Sequence, residues 1–358
     1  MKKELYIAGM PSYLGGADSE LLHLCTLWRM YGVDVNLVPM FGCDEKIKAD
    51  MAAIGIKTHN YHPAIFKDKI VGSWCNGEFL TKLPEIMERG KPRCVGFANC
   101  MTWTFPKEVE AHRNGWINYH IFVSNYQRGW LKPELEKVGP VRELEGYRPY
   151  FDPNNKSQQI EFKYRPPEKW FALGRISRDD GNKYSDDMWN IFYKVNTPIP
   201  KKVFILGFGQ NAHIKCGSAP GVFSHQTERW CQGLDWQTWA PNQIPVKEIY
   251  NILHCIIHKT GGSRESYCRI VPEAYGYGTP IIVEDDYAFP DLVIDKITGY
   301  RCKSSDEMSF RASELAFDEE KRKKMIFAAR DFLINEIASA EKCWLPWEKL
   351  FNEFGDKI

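Results

Sequence analysis

Short apolar runs rich in β-branched and aromatic residues alternate with helix-patterned segments along most of this chain. Few folds accept that alternation. LYIAGM (residues 5–10) reads as a strand, DSELLHLCTLWRMYG (18–32) as a helix with an Asp/Ser start and a Gly stop, and VDVNLVPM (33–40) as a strand again. RCVGFANC (93–100), YHIFVSN (119–125) and VRELEGY (141–147) continue the series as expected strands. The pattern breaks at DPNNKSQQIEFKYRPPE (152–168), which is polar and ends in a Pro pair. A second series follows, with KWFALGR, KKVFILGFG, ILHCIIHK and TPIIVED as strands and helical stretches between them. Strands separated by helices predict a parallel sheet covered on both faces. Two such series predict two Rossmann-like α/β domains facing a cleft, 1–160 and 169–337. The aromatic segment SAEKCWLPWEKLFNEF within 338–358 must then bury its apolar face, and it is expected to do so back on the first domain. Ligands of such sheets sit at the carboxyl ends of the strands.

Composition narrows the classes further. The chain has 358 residues, suiting two domains, and its 44% hydrophobic and 26% charged residues are those of a globular protein. A formal charge of +1 advertises no general grip on nucleic acid, although a short basic track at Arg113, Arg128 and Lys132 leaves a local one open. Eleven cysteines without a C-x-x-C pair read as reduced thiols, so a cytoplasmic location is expected. The apolar run after the N-terminal lysines is too short for a signal-peptide core, and no run approaches a membrane span.

The chemistry concentrates in GGSRESYCRIVPEAYGYGTPIIVED (261–285), where Glu265 and Glu273 stand eight positions apart. On one continuous helix that spacing leaves them offset by about 80°. The turn-like TGGSR and the short helical RIVPEAYGYG place Glu265 on a loop and Glu273 on the inner face of the helix. Two acceptor groups at a strand-end site suit a ligand rich in hydroxyls.

The same stretch resembles the E-x7-E signature of retaining glycosyltransferases of family 4, which have the GT-B fold. Tyr267 stands for the usual Phe, Cys268 for Gly and Gly276 for Ala, while Gly278 and Pro280 fall in register. FALGRISRDDGNKY (171–184) is similar to the family's Gly-Arg…Lys stretch, whose cations grip the donor diphosphate. The usual Lys before a Gly is replaced by Asp180, so Lys183 is the expected stand-in and Arg178 its rival. GMPSYLGGADSELLHL (9–24) resembles the family's glycine-rich first loop, with Gly15 and Gly16. FVSNYQRGWL and ELEGYRPYFDP match more weakly. Ala288-Phe289 replaces small glycines, and Asn99-Cys100 lies where many members carry a histidine. The resemblance implies Arg175, Lys183 and Glu265 as catalytic residues. It implies Gly15, Gly16, Gly174, Arg178, Ser266, Tyr267 and Glu273 as donor-binding residues, with Glu273 on the ribose hydroxyls and Glu265 on the donor sugar. It implies a UDP- or GDP-sugar donor held by the nucleotide-sugar-binding domain 169–337, a hydroxyl acceptor presented by the domain 1–160, retention of configuration and no required cofactor or metal.

Competing signals are weaker. GFGQNA (207–212) matches a dinucleotide fingerprint, but HIKCGSAPG after it does not read as the required helix, which argues against a dehydrogenase. Glu284-Asp285-Asp286 mimics a metal-binding triplet of another fold. HCIIH (254–258) has zinc-helix spacing without the Glu and reads as a strand. Trp236 and Trp239 are candidates to line the cleft. The rival functions are a non-catalytic nucleotide-sugar or glycan-binding protein on the same fold, and a glycosyltransferase acting on a modified DNA base.

Overall fold

The computed structural model describes residues 3–13, 15–154, 160–217 and 235–355. The chain divides into two compact units, Met1–Asp152 with Glu336–Ile358, and Pro153–Asn335. Each holds one six-stranded sheet. In the first unit the strands are β1 (Glu4–Ala8), β2 (Asp34–Val38), β3 (Lys57–Thr58), β4 (Ile70–Trp74), β5 (Cys94–Ala98) and β6 (Tyr119–Ile121). Their order across the sheet is β3-β2-β1-β4-β5-β6, parallel throughout. In the second unit β7 (Phe171–Ile176), β8 (Lys201–Leu206), β9 (Asp235–Trp239), β10 (Cys255–His258), β11 (Ile281–Glu284) and β12 (Tyr300–Cys302) run β12-β11-β10-β7-β8-β9, again parallel. Both are the doubly wound order with one topological switch point, between β1 and β4 and between β7 and β10.

Strands β4, β5, β7 and β10 bury every residue, because helices cover both faces. That is why they read as apolar runs rather than as alternating ones. The structure adds strands β3, β4, β9 and β12, which the sequence reading did not mark. VRELEGY forms no named strand; it contributes a single parallel bridge, Glu143 to His120. GFG is followed by a helix after all, Gln210–Cys216, although only seven residues long and stopped at Gly217 by a φ of 66°.

The helix Ala340–Phe354 belongs to the first unit, where Cys343, Trp344, Trp347, Leu350 and Phe351 join its core. Trp347 stands edge-on to Trp28, ring centroids 5.0 Å apart, and Trp344 stacks on Tyr31 at 4.6 Å. Among the described residues no helix is long and apolar enough to cross a membrane.

Candidate functional site

At the switch point of the second sheet, the loops leaving β7 and β10 meet. After β7 the chain makes a one-turn helix, Gly181–Lys183, capped by Asp180, whose Oδ1 accepts from Asn182 N–H at 3.0 Å. After β10 the glycine turn bonds to it: the N–H groups of Gly261 and Ser263 both donate to the Asn182 carbonyl, at 3.0 and 2.9 Å. Gly261 must be glycine, because a Cβ there would fall 1.7 Å from the Tyr184 carbonyl oxygen. This close approach carries Lys183 onto the strand-end loop.

Lys183 Nζ donates to Glu265 Oε1 at 2.8 Å, and His258 Nε2, on the last residue of β10, stands 3.5 Å from the same oxygen. Arg175 on β7 lies beneath them, 1% exposed, its Nη2 bonded to the Lys183 carbonyl and its guanidinium 4.9 Å from the Tyr184 ring centroid. Burial alone would raise the Glu265 carboxyl, but the His258 hydrogen bond and the Lys183 ammonium outweigh it and hold Glu265 at about 2. His258 is pushed down to about 4 by burial and then by the Arg175 charge, against the pull of Glu265. Neutral imidazole and ionised carboxylate therefore coexist near neutral pH.

The signs of these shifts set an acid limit. Both groups bind protons more readily in the unfolded chain. Stability from neutral His258 is present above its ordinary value near 6.5 and is lost as pH falls toward about 4. Stability from ionised Glu265 is present above its ordinary 4.5 and is lost as pH falls toward about 2. Chemical denaturation across pH 7 to 3 is expected to show stability falling with pH, with a shallower slope below pH 4.5 in Glu265→Gln. A pH-independent midpoint contradicts this.

Glu273 lies on the following helix, Ile270–Tyr277, which Gly278 ends in the left-handed conformation, φ 74°. Its Oε2 accepts from the fully buried Tyr250 hydroxyl at 3.2 Å. Burial raises the Glu273 carboxyl, with Arg269 and the Tyr250 hydrogen bond pulling it back. Cys268 links the two acids in space: burial pushes its thiol up, and the charges of Glu265, Lys183 and Glu273 all act on it.

The other candidates distribute differently. Ser266 and Tyr267 follow Glu265 on the loop, half-buried. Gly174 is a packing glycine, since a Cβ would sit 2.3 Å from a Leu253 methyl. Arg178 is turned to the surface, paired with Asp180 at 3.3 Å, and does not join the Glu265 group. Gly15 and Gly16 begin the helix Gly16–Met30 of the first unit, Gly15 at φ 88°. Trp236 and Trp239 lie on the edge strand β9, where Trp236 packs on Trp189 and Trp239 stacks on Phe204 of β8. The acids at 284–286 are engaged separately, Glu284 by Thr260 at 2.7 Å and Asp285 by Arg301 at 3.4 Å.

Tyr250 is a member that sequence reasoning missed, and His258 is one that it weighed only as a zinc-spaced residue and read as part of a strand. Each looks like a core residue, although a His closing a strand just before a glycine turn is the position where such sheets present ligand groups. His258, Glu265 and Cys268 place ligand-type atoms within 4.8 Å of one another. Lys183 supplies Glu265 with a cation at the same place.

Residues 228–332 match the model of the family described as "Glycosyl transferases group 1". No curated protein sequence matches the chain. Among solved structures, HepE of Anabaena in complex with UDP-glucose superposes with a TM-score of 0.67 at 13% identity, covering 98% of this chain and 100% of that one. A TarM variant of S. aureus, in complex with Fondaparinux, alpha-GlcNAc-glycerol and UDP, gives 0.69 at 12%, with 98% and 100% covered. Sucrose-phosphate synthase of Thermosynechococcus elongatus gives 0.63 at 11%, with 99% of each chain covered. The two parallel six-stranded sheets with their helices are the α/β GT-B fold of these glycosyltransferase structures.

Proposed function

We propose that this protein is a retaining glycosyltransferase that moves a sugar from a nucleotide-sugar donor to a hydroxyl acceptor. The observation that carries the reading is the Arg175–Lys183–Glu265–His258 group at the switch point of the second sheet. Cations converging beside an ionised, buried carboxylate suit a diphosphate joined to a polyol. The UDP and UDP-glucose bound by the HepE structures make uridine donors the first to test.

In this reading the bond between the sugar's anomeric carbon and the diphosphate oxygen breaks while the acceptor oxygen bonds to that carbon from the same face. The departing phosphate takes the acceptor's proton, so no protein nucleophile is needed. Lys183 uses one of its three N–H donors on Glu265 and keeps two for phosphate oxygen. Charge develops on the leaving diphosphate, and preorganised cations lower the barrier most there. Arg175 adds its charge from below and fixes the turn that carries Lys183. Glu265 and neutral His258 face the donor sugar's hydroxyls, and Glu273 accepts from the ribose.

Release of free sugar from UDP-, GDP- and ADP-sugars without acceptor tests the proposal. Slow hydrolysis of at least one donor supports it; tight binding with no hydrolysis favours a non-catalytic binding protein. Tyr250 orients Glu273, so Tyr250→Phe is expected to raise the donor KM roughly fivefold, as for about 1 kcal/mol of one hydrogen bond, with kcat little changed. An unaltered KM sinks that role.

A further inference from the structure

The His258–Glu265–Cys268 group has a second use beside the one proposed above. Three ligand types converge in it, an imidazole nitrogen, a carboxylate oxygen and a thiol, each on a buried residue and all within 4.8 Å of one another. Among the described residues no other three His, Cys, Asp or Glu side chains come together this closely. His258 Nε2 is central, 3.5 Å from Glu265 Oε1 and 3.9 Å from Cys268 Sγ. Around a tetrahedral zinc ion, with bonds of about 2.1 Å to nitrogen and oxygen and about 2.3 Å to sulfur, those separations are about 3.4 and about 3.6 Å. Two edges of the tetrahedron are thus nearly in place, and the sulfur–carboxylate edge is the one that has to close.

Backbone hydrogen bonds hold each of the three in position. His258 ends β10, paired with Val283 of β11. The Glu265 carbonyl accepts from Ala288 N–H at 3.1 Å, and the Cys268 carbonyl accepts from Val271 N–H at 3.1 Å, where the helix Ile270–Tyr277 begins. Ligands fixed in this way lose little freedom when they bind. Cys268 stands where the family that the stretch resembles has glycine, so this chain supplies a ligand atom that glycine lacks. His254, the zinc-spaced companion of His258 in the sequence, takes no part: its Nδ1 accepts from Ala172 N–H at 2.8 Å.

The geometry points to an inhibitory zinc site at His258, Glu265 and Cys268, in which the ion takes Glu265 from Lys183. The inhibition rests on the glycosyl-transfer reading above; the binding does not. Nitrogen, oxygen and sulfur together suit zinc, whereas magnesium and calcium take oxygen ligands. The exchange balances in charge. Zn²⁺ enters, the Cys268 S–H bond breaks as sulfur bonds to the ion, the proton leaves to solvent, and the Lys183 ammonium swings away from Glu265. Two positive charges replace two, so the buried Arg175 guanidinium meets no added charge. Lys183, its side chain 15% exposed against 9% for Glu265, lies nearer solvent and is free to make that move. Glu265 and His258, which face the donor sugar in the transfer reading, are then occupied by the ion.

Cobalt, a coloured stand-in for zinc, tests the binding on the full chain. Equimolar Co²⁺ should give a near-ultraviolet thiolate charge-transfer band that Zn²⁺ abolishes and Mg²⁺ does not. Cys268→Ala should lose the band and weaken Zn²⁺ binding at least about tenfold, a loss already typical when a group one step further from a metal is removed. Lys183→Ala should bind Zn²⁺ more tightly, because the competing ammonium is gone. No thiolate band in the wild-type protein, or a band that survives in Cys268→Ala, overturns the site. Equal or weaker Zn²⁺ binding by Lys183→Ala overturns the exchange. Zn²⁺ should also suppress donor hydrolysis by the wild-type protein, reversibly with EDTA, and should do so far less in Cys268→Ala. Faster hydrolysis with zinc, or equal suppression in both proteins, overturns the inhibition. Metal binding without any donor hydrolysis by the zinc-free wild-type protein leaves the site standing and removes the transfer reading; hydrolysis without metal binding does the reverse.

Discussion

Lys183→Ala is expected to lower kcat for donor cleavage by roughly 10²–10³-fold, the loss typical when one preorganised charge-stabilising donor is removed. The change acts in two ways. It deletes the ammonium nearest the expected leaving diphosphate, and it strips Glu265 of its 2.8 Å partner, leaving a carboxylate 7% exposed. The donor KM should rise less than kcat falls, because charge on the leaving group is greatest in the transition state. Lys183→Arg should recover little. A guanidinium is longer and planar, and it cannot take the ammonium's place against Glu265 while the Asn182 carbonyl clamps the turn. A kcat within threefold of wild type in Lys183→Ala contradicts the assigned role.

Trp347→Ala should be the most damaging single change outside the site. The ring is 2% exposed and meets Trp28 at 5.0 Å, Tyr147 at 6.0 Å and Trp74 at 6.1 Å. Removing an aromatic side chain from such a position costs about 3–5 kcal/mol in lost burial and residual cavity. The loss falls on the first unit, because the helix Ala340–Phe354 belongs to its core. Urea unfolding followed by tryptophan fluorescence should show one transition displaced and that of the second unit nearly unmoved. Two units of this size need not unfold in one step, so both transitions must be resolved. A change below about 1 kcal/mol means the last helix is not part of that core.

The sequence shows some of this plainly and conceals the rest for physical reasons. β1, β2, β5, β6, β7, β8, β10 and β11 are legible because strands covered along most of their length are nearly continuous apolar runs. β9 hides because its residues are only half covered at the sheet edge, so DWQTW reads as surface. VRELEGY carries strand composition but earns one bridge, because composition cannot reveal whether a neighbouring edge is available to pair with. Within the site, Glu265 and Glu273 stand out through residue type and spacing, and Arg175 and Lys183 through the resemblance to the Gly-Arg…Lys stretch. Arg178 shares Lys183's chemistry and neighbourhood, and only the turn Gly181–Lys183 and the Gly261 contact decide which cation faces inward. His258 and Tyr250 act through hydrogen bonds across elements, and a linear pattern carries no record of those.

The account turns on a nucleoside diphosphate seated over the β7–β10 switch point. Its most direct test is the thermal shift of the wild-type protein and of Lys183→Ala with UDP, GDP and ADP. A ligand held only by the native state at a hundred times its Kd stabilises it by about 2.7 kcal/mol. One of the three should raise the wild-type Tm by several degrees and leave that of Lys183→Ala nearly unchanged. No stabilisation by any of them, or an equal rise in both proteins, contradicts the account.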